Sequence, residues 1–404
     1  MPETHTPLWI SARKLEALLK TAPTPLFVYD EKSLVRAVQA LFAAFSWEPG
    51  FLPRFPVRMD PDPPVLRILR GAGCGALCRD GRELRLAAAC GFAGPAVAYA
   101  PMRADAAAEQ LARELGAVFV LDGPQVLPAF APEAAVLLLR QQGPLRISGR
   151  PIMGAPVSSA GMEEAELCRL AACLHAGGAR TLGLGMSLGD LCMDEGFYPA
   201  VFAQLVAAAA RLREKTGLTA KIFDLGGGFG VKYTDEQPKP YSYYIDPMMK
   251  KIASKFAEMQ IKMPAVVFEP GRSIVAEAGL SLYTIGNIKD IRGVRKYIAV
   301  DGGMADNIRP ALYEAVYDGV VANKADEPRN DKATICGKTC ESGDILIRDC
   351  AVTDKAEKGD LFAIFSTGAY GFSMASNYNN CPIPAVVLVR EGKSSIIVKR
   401  QSYE

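Results

Sequence analysis

From about residue 25 to residue 275, short apolar strands alternate with helical stretches, and this alternation constrains the fold more than any other feature. TPLFVYD (24–30) reads as a strand, and a helix follows over about 31–45. MEEAELCRLAACLHA (162–176) places Leu167, Leu170, Ala171 and Leu174 on one helix face. Further helices are predicted over 198–214 and 246–260, and KIFDLGGGF (221–229) and AVVFEPGR (265–272) read as strands running into turns. Repeated βα units predict parallel strands with crossover helices, and their number suits an α/β fold, a (β/α)8 TIM-type barrel over 25–275. After about 276 the pattern changes. RKYIAVDGG, ATICGKTC, DILIRDCAV, DLFAIFS and the hairpin-like AVVLVREGKSSIIVKR are strand-rich with turn residues between them. They predict a C-terminal antiparallel β domain, formed by 276–404 together with 1–24.

Charge excludes some function classes. With 46 basic and 44 acidic residues the net charge is +2, which gives no electrostatic footprint for nucleic acid or a membrane surface. No window approaches 18 consecutive apolar residues, so no membrane span is expected. MPETHTPLWI has neither a basic nor an apolar leader region, so the ten cysteines are expected as reduced thiols in a cytoplasmic protein. Only His5 and His175 occur and there is no CxxC pair, which argues against zinc. Lysine usage breaks inside the chain: residues 1–215 hold 4 Lys and 18 Arg, residues 216–404 hold 16 Lys and 8 Arg, and none lies between 33 and 214. Drift in codon usage would produce this, and so would different histories for the two halves. In either case no chemistry within 33–214 can use a lysine amine.

Several short motifs could carry chemistry. Gly226-Gly227-Gly228 follows a strand, where consecutive glycines either converge their N–H groups on a phosphate or simply make a tight turn of positive φ. Glu269-Pro270-Gly271-Arg272 stands at another strand end, and Glu269 and Arg272 could pair with each other or hold a ring nitrogen and an anion. Cys340-Glu341 sets a thiol beside a carboxylate, an acid–base pair or a structural cysteine. Arg309 and Tyr313, four apart, could clamp a carboxylate, and Tyr370 adds a hydroxyl beside a glycine-flexible loop.

In this order and spacing, DLGGGFG, EPGRSIVAEAG, VDGGMADNIRPALYEA, CESGD and GAYGFSMASNYN closely resemble the diaminopimelate decarboxylase family. These are fold-type III pyridoxal-phosphate (PLP) lyases with a barrel and a C-terminal β domain. The resemblance is dense over about 222–380. It implies that Gly226, Gly227, Gly228, Gly271 and Tyr370 hold the cofactor phosphate and that Glu269 faces the pyridine nitrogen. It implies that Arg272, Arg309, Tyr313 and Glu341 bind the substrate carboxylate and amine, and that Cys340 is the protonating acid. In the family this Cys-Glu loop serves the active site of the other subunit, so the resemblance implies a dimer.

The first half resembles the family less, and its departures fall on the barrel side. In FPVRMDPDPPVLRIL (55–69) the family's Schiff-base lysine falls on Arg58, and a guanidinium cannot form an aldimine. The ring-stacking histidine falls on Gly185, the buried aspartate and its serine on Leu77 and Asp80, and an HGN segment on Tyr99-Ala100-Pro101. Three functions follow from the resemblance. One is a catalytically impaired pseudoenzyme, pairing as a homodimer or as a heterodimer with an active homologue. Another is an active decarboxylase making lysine from meso-diaminopimelate through a displaced lysine, Lys232 or Lys338. The third is a binder of a phosphorylated or amino-acid ligand. Any PLP bound is expected to be non-covalent.

Overall fold

The computed structural model describes residues 10–11, 18–20, 22–48, 50–128, 130, 132–140, 146–147, 150–151, 161–186 and 197–403. Its strands, in chain order, are β1 (Leu26–Asp30), β2 (Phe51–Pro56), β3 (Gly75–Cys78), β4 (Val97–Tyr99), β5 (Val118–Leu121), β6 (Ala134–Leu138), β7 (Arg146–Ile147), β8 (Arg150–Pro151), β9 (Thr181–Gly185), β10 (Ile222–Asp224), β11 (Ala265–Phe268), β12 (Gly279–Ile291), β13 (Arg295–Val300), β14 (Gly319–Val321), β15 (Asp331–Cys336), β16 (Ile345–Val352), β17 (Leu361–Ile364), β18 (Ala385–Arg390) and β19 (Lys393–Val398). The chain divides into two compact units, one of residues 35–230 and 238–274, the other of residues 1–34, 231–237 and 275–404.

The first unit is the barrel. β10-β11-β2-β3-β4-β5-β6-β9 close on themselves, every neighbouring pair parallel. Its interior is filled by Leu77, Ala98, Ala100, Val118, Val120, Val136, Leu138, Ile222 and Val267, contributed two residues apart along the strands as period-2 alternation requires. Helices Pro63–Gly71, Gly81–Ala89, Ala106–Glu114, Glu164–Ala176, Phe197–Thr216 and Tyr241–Glu258 supply crossovers. Their starts are written locally. Pro63 occupies the first turn of its helix, where a missing N–H costs nothing. Asp80 caps the next helix, accepting from Glu83 N at 2.9 Å while Glu83 accepts from Arg79 N at 2.8 Å. Asp105 and Glu109 repeat that reciprocal cap.

The second unit is a sheet in the order β16-β15-β13-β12-β1-β18-β19, with β17 joining β12 to β14. It is mostly antiparallel, but β1 pairs parallel with β18 and β13 with β15. β1, which the sequence pattern counts with the barrel, belongs here: Leu26 faces Leu282 on one side and Ala385 on the other. Its apolar run suits a central strand of either sheet, so pattern alone does not separate the two. Val28, Leu280, Leu282, Ala363, Val387 and Phe365 make its core, and Ile10, Leu18 and Ala22 from the described part of 1–24 pack there too. The described cysteines form no disulfide; Cys192 and His5 lie outside the described residues. No described helix is long and apolar enough to cross a membrane.

Candidate active site

In the barrel unit, sequence-singled residues gather at the C-terminal ends of the strands, the end where (β/α)8 scaffolds do chemistry. The turn after β10 has Gly226 and Gly228 at φ 64° and 86°. Gly226 N–H donates to Asp224 Oδ1 at 3.0 Å, so this amide is committed to the protein. A Cβ on Gly227 would run into the carbonyl oxygen of Glu269, and Glu269 N–H donates back to Gly226 O at 2.6 Å. Both sequence readings of the triplet are thus informed by geometry: the glycines bring the exits of β10 and β11 into backbone contact. Gly271 faces the thioether of Met59, which occupies the space a Cβ there would need. Arg272 is buried and starts the turn Arg272–Val275.

Beneath this rim lies a charged cluster that sequence reasoning missed. Arg54, on β2, is 2% exposed; Nη2 donates to Pro95 O at 2.9 Å, while Nε and Nη1 have no acceptor. Asp224 is equally buried, and burial, followed by the charge of Glu269, pushes its carboxyl well above the ordinary range. Arg54 pulls that carboxyl the other way, and burial lowers the Arg54 guanidinium itself. A charged residue inside the otherwise apolar strand FLPRFP was the available signal.

Arg58 lies in the 3-10 turn Val57–Met59 just past β2, half-buried, its Nη1 sealed from water with no acceptor. Leu77 sits within the apolar interior and Asp80 serves as a helix cap. At Gly185 a side chain would meet Leu138, Val136 and the Asp224 Cβ, so the space around this position is closed. Just beyond Arg58, Asp60 and Asp62 are both buried, and burial with the neighbouring Asp60 pushes the Asp62 carboxyl up to about 8. The folded state therefore keeps a proton that an unfolded aspartate releases near pH 4. Stability from this group is full below that pH and is lost as pH rises to about 8. Thermal melts between pH 5 and 8 are expected to show a falling Tm, and Asp62→Asn is expected to raise Tm at pH 8 and flatten the slope. An unchanged slope would show that Asp62 holds no such proton.

In the sheet unit, Arg309 opens the short helix Arg309–Tyr313 and is buried, its Nε donating to Tyr317 Oη at 2.8 Å. Its guanidinium carbon lies 5.6 Å from the Tyr313 ring centre and 5.9 Å from that of Tyr370, so these three residues do come together. Cys340 and Glu341 are exposed on a loop, Cys340 in the left-handed region at φ 54°. Buried Asp344 fixes that loop, accepting from Met304 N at 2.7 Å and Thr339 N at 2.9 Å, while Asn379 Nδ2 donates to Thr339 O at 2.8 Å. Tyr378 Oη stands 3.5 Å from Glu341.

The chain thus combines a closed parallel eight-stranded barrel with a mostly antiparallel sheet. Residues 26–368 match the family described as pyridoxal-dependent decarboxylase, C-terminal sheet domain, and the chain belongs to that family. Diaminopimelate decarboxylase of Bacillus subtilis (strain 168) is 42% identical over 224 residues, 55% of this chain and 51% of that relative. The chain thus matches about half the length of this relative. Diaminopimelate decarboxylase of Methanothermobacter thermautotrophicus is 31% identical over 391 residues, 94% of this chain and 90% of the relative. Among solved structures, diaminopimelate decarboxylase from M. jannaschii in co-complex with L-lysine superposes with TM-score 0.80 at 25% identity, covering 96% of this chain and 92% of that one.

The family is pyridoxal-dependent, and the barrel unit of this chain turns no lysine into its interior. A pyridoxal aldehyde needs a lysine amine. Every lysine of the barrel unit (215, 221, 239, 250, 251, 255 and 262) is exposed, on outer helices or flanking segments. Arg54 occupies the interior, Met59 covers Gly271, and the Gly185 face is closed. Borohydride reduction with PLP followed by mass spectrometry is expected to give no pyridoxyl adduct within the barrel unit. Arg58→Lys alone is expected to restore no decarboxylation, because Met59 and the closed Gly185 face remain. A stoichiometric adduct, or turnover in that variant, would overturn this.

Proposed function

We propose that this chain is a catalytically silent relative of diaminopimelate decarboxylase that works as a partner subunit, presenting its Cys340–Glu341 loop to the barrel of an active homologue. The observation that carries this reading is an asymmetry. The barrel unit offers no amine to its interior, whereas the Cys340–Glu341 loop is exposed and held by buried Asp344. Decay without selection would strike both alike. In the mixed dimer Cys340 would donate a proton to the substrate carbon that has lost its carboxyl group, Glu341 would meet the substrate amine, and Arg309 with Tyr313 would orient a carboxylate. The ligand class is an α-amino acid, in keeping with the L-lysine in the M. jannaschii co-complex. Any PLP taken up by this chain's own barrel is held without a covalent bond. Exposed Leu312, Tyr313, Val316 and Tyr378 supply apolar surface for the contact, which needs at least ~1,000 Å² in total.

The test mixes this protein with an active homologue whose own loop cysteine has been changed to alanine. Hybrid dimers on native mass spectrometry and recovered decarboxylation are expected. No hybrid, or a hybrid without recovery, overturns the reading.

A further inference from the structure

We infer that the barrel mouth is an oxyanion-binding site built from Arg58 and Arg79, independent of any partner subunit. The register of the barrel makes the site. Parallel β2 and β3 pair Arg54 with Gly75 and Pro56 with Leu77, so the two strands leave the barrel side by side, Arg58 in the 3-10 turn after β2 and Arg79 directly after β3. Leu77 points into the barrel interior, and Arg79, the first residue past β3, reaches across to Ala100 O beyond the end of β4. Neighbouring strands lie about 4.8 Å apart, and the two guanidinium groups are near enough for the charge of Arg58 to act on Arg79.

Such a pair repels unless something negative lies between. Among the described residues no carboxylate forms an ion pair with either group, although Glu83, Asp122, Glu269 and Asp80 are in the neighbourhood. Glu83 is turned to the backbone N–H of Arg79 as part of the helix cap. The Arg79 side chain has only two long contacts, Nη1 to Ala100 O and to Met102 Sδ, both at 3.3 Å. Arg58 Nη1 is buried without an acceptor, and four residues back, on β2, Arg54 presents two more unaccepted donors, nine-tenths buried. Burial and the charge of Arg58 both disfavour the charged form of Arg79, which an anion would reverse. Polar groups sealed in this way need a hydrogen-bond partner, which a bound anion would supply. A guanidinium fork matches a carboxylate or a phosphate with two parallel hydrogen bonds. The ligand is therefore a small molecule carrying such an oxyanion. Gly226 N–H is committed to Asp224, so this amide of the glycine turn is not a donor to the ligand.

Isothermal calorimetry on the whole chain, with inorganic phosphate in one arm and glutarate in the other, tests this. At least one probe is expected to bind and to raise Tm. Phosphate alone would mark the natural ligand as a phosphate ester, glutarate alone as a carboxylic acid. Arg58→Gln and Arg79→Gln are each expected to weaken binding at least tenfold. Arg82→Gln, on the exposed face of the following helix, is expected to leave affinity unchanged. Arg58→Lys, which keeps charge and bulk, guards against a folding defect and is expected to retain part of the affinity. Binding of neither probe, or undiminished binding in both Gln variants, overturns the inference. Loss of hybrid rescue with anion binding intact would instead sink the partner-subunit reading alone.

Discussion

Gly227→Ala is expected to destabilise the barrel unit by about 3 kcal/mol or more, the upper range for forced overpacking. The added methyl points at the carbonyl oxygen of Glu269, part of the backbone leaving β11, and not at a side chain that could swing away. Relief requires the two exits to part. That breaks the Glu269 N–H to Gly226 O bond of 2.6 Å and disturbs the Asp224 carboxyl group that accepts from Gly226 N–H. The control is Gly71→Ala. Gly71 ends the helix Pro63–Gly71 with nothing within 4 Å of the added carbon, so its change is expected to be neutral or stabilising, up to ~1 kcal/mol. Denaturant titration of both variants measures the difference. If Gly227→Ala melts like wild type, the two strand exits part at little cost, and close backbone contact is not what requires glycine there.

The second large effect is on the proposed hybrid dimer. Cys340→Ala in this chain is expected to lower the recovered decarboxylation about 10²–10⁴-fold, the usual contribution of a positioned acid. The thiol is exposed on a backbone of positive φ, so its removal leaves the loop anchored by Asp344 and Asn379. Hybrid formation should therefore persist on native mass spectrometry while turnover falls. Asp344→Asn would act differently, loosening the loop and weakening recovery through position. Turnover unaffected by Cys340→Ala would remove the thiol from the reaction and with it the chemical reason for the pairing.

Much of this protein was legible in one dimension. Alternating strands and helices specify a barrel because burying one face of each element allows few arrangements. The change after about 276 marks a sheet for the same reason. The inability of Arg58 to form an imine needs no fold, since it belongs to the guanidinium itself. Capping pairs such as Asp80 with Glu83 are also local, three residues apart.

Tertiary structure decided the rest. β1 carries a pattern that either sheet would accept, and only its pairing with β12 and β18 assigns it. Met59 covering Gly271, and Leu138 with Val136 closing the space at Gly185, join strands far apart in the chain. Arg58 and Arg79 look unrelated across 21 positions, until the parallel pairing of β2 with β3 brings the two strand exits side by side. The physical reason is common to all of these. A period-2 pattern states which face of a strand is buried, but it carries no information about which residue of another strand stands opposite.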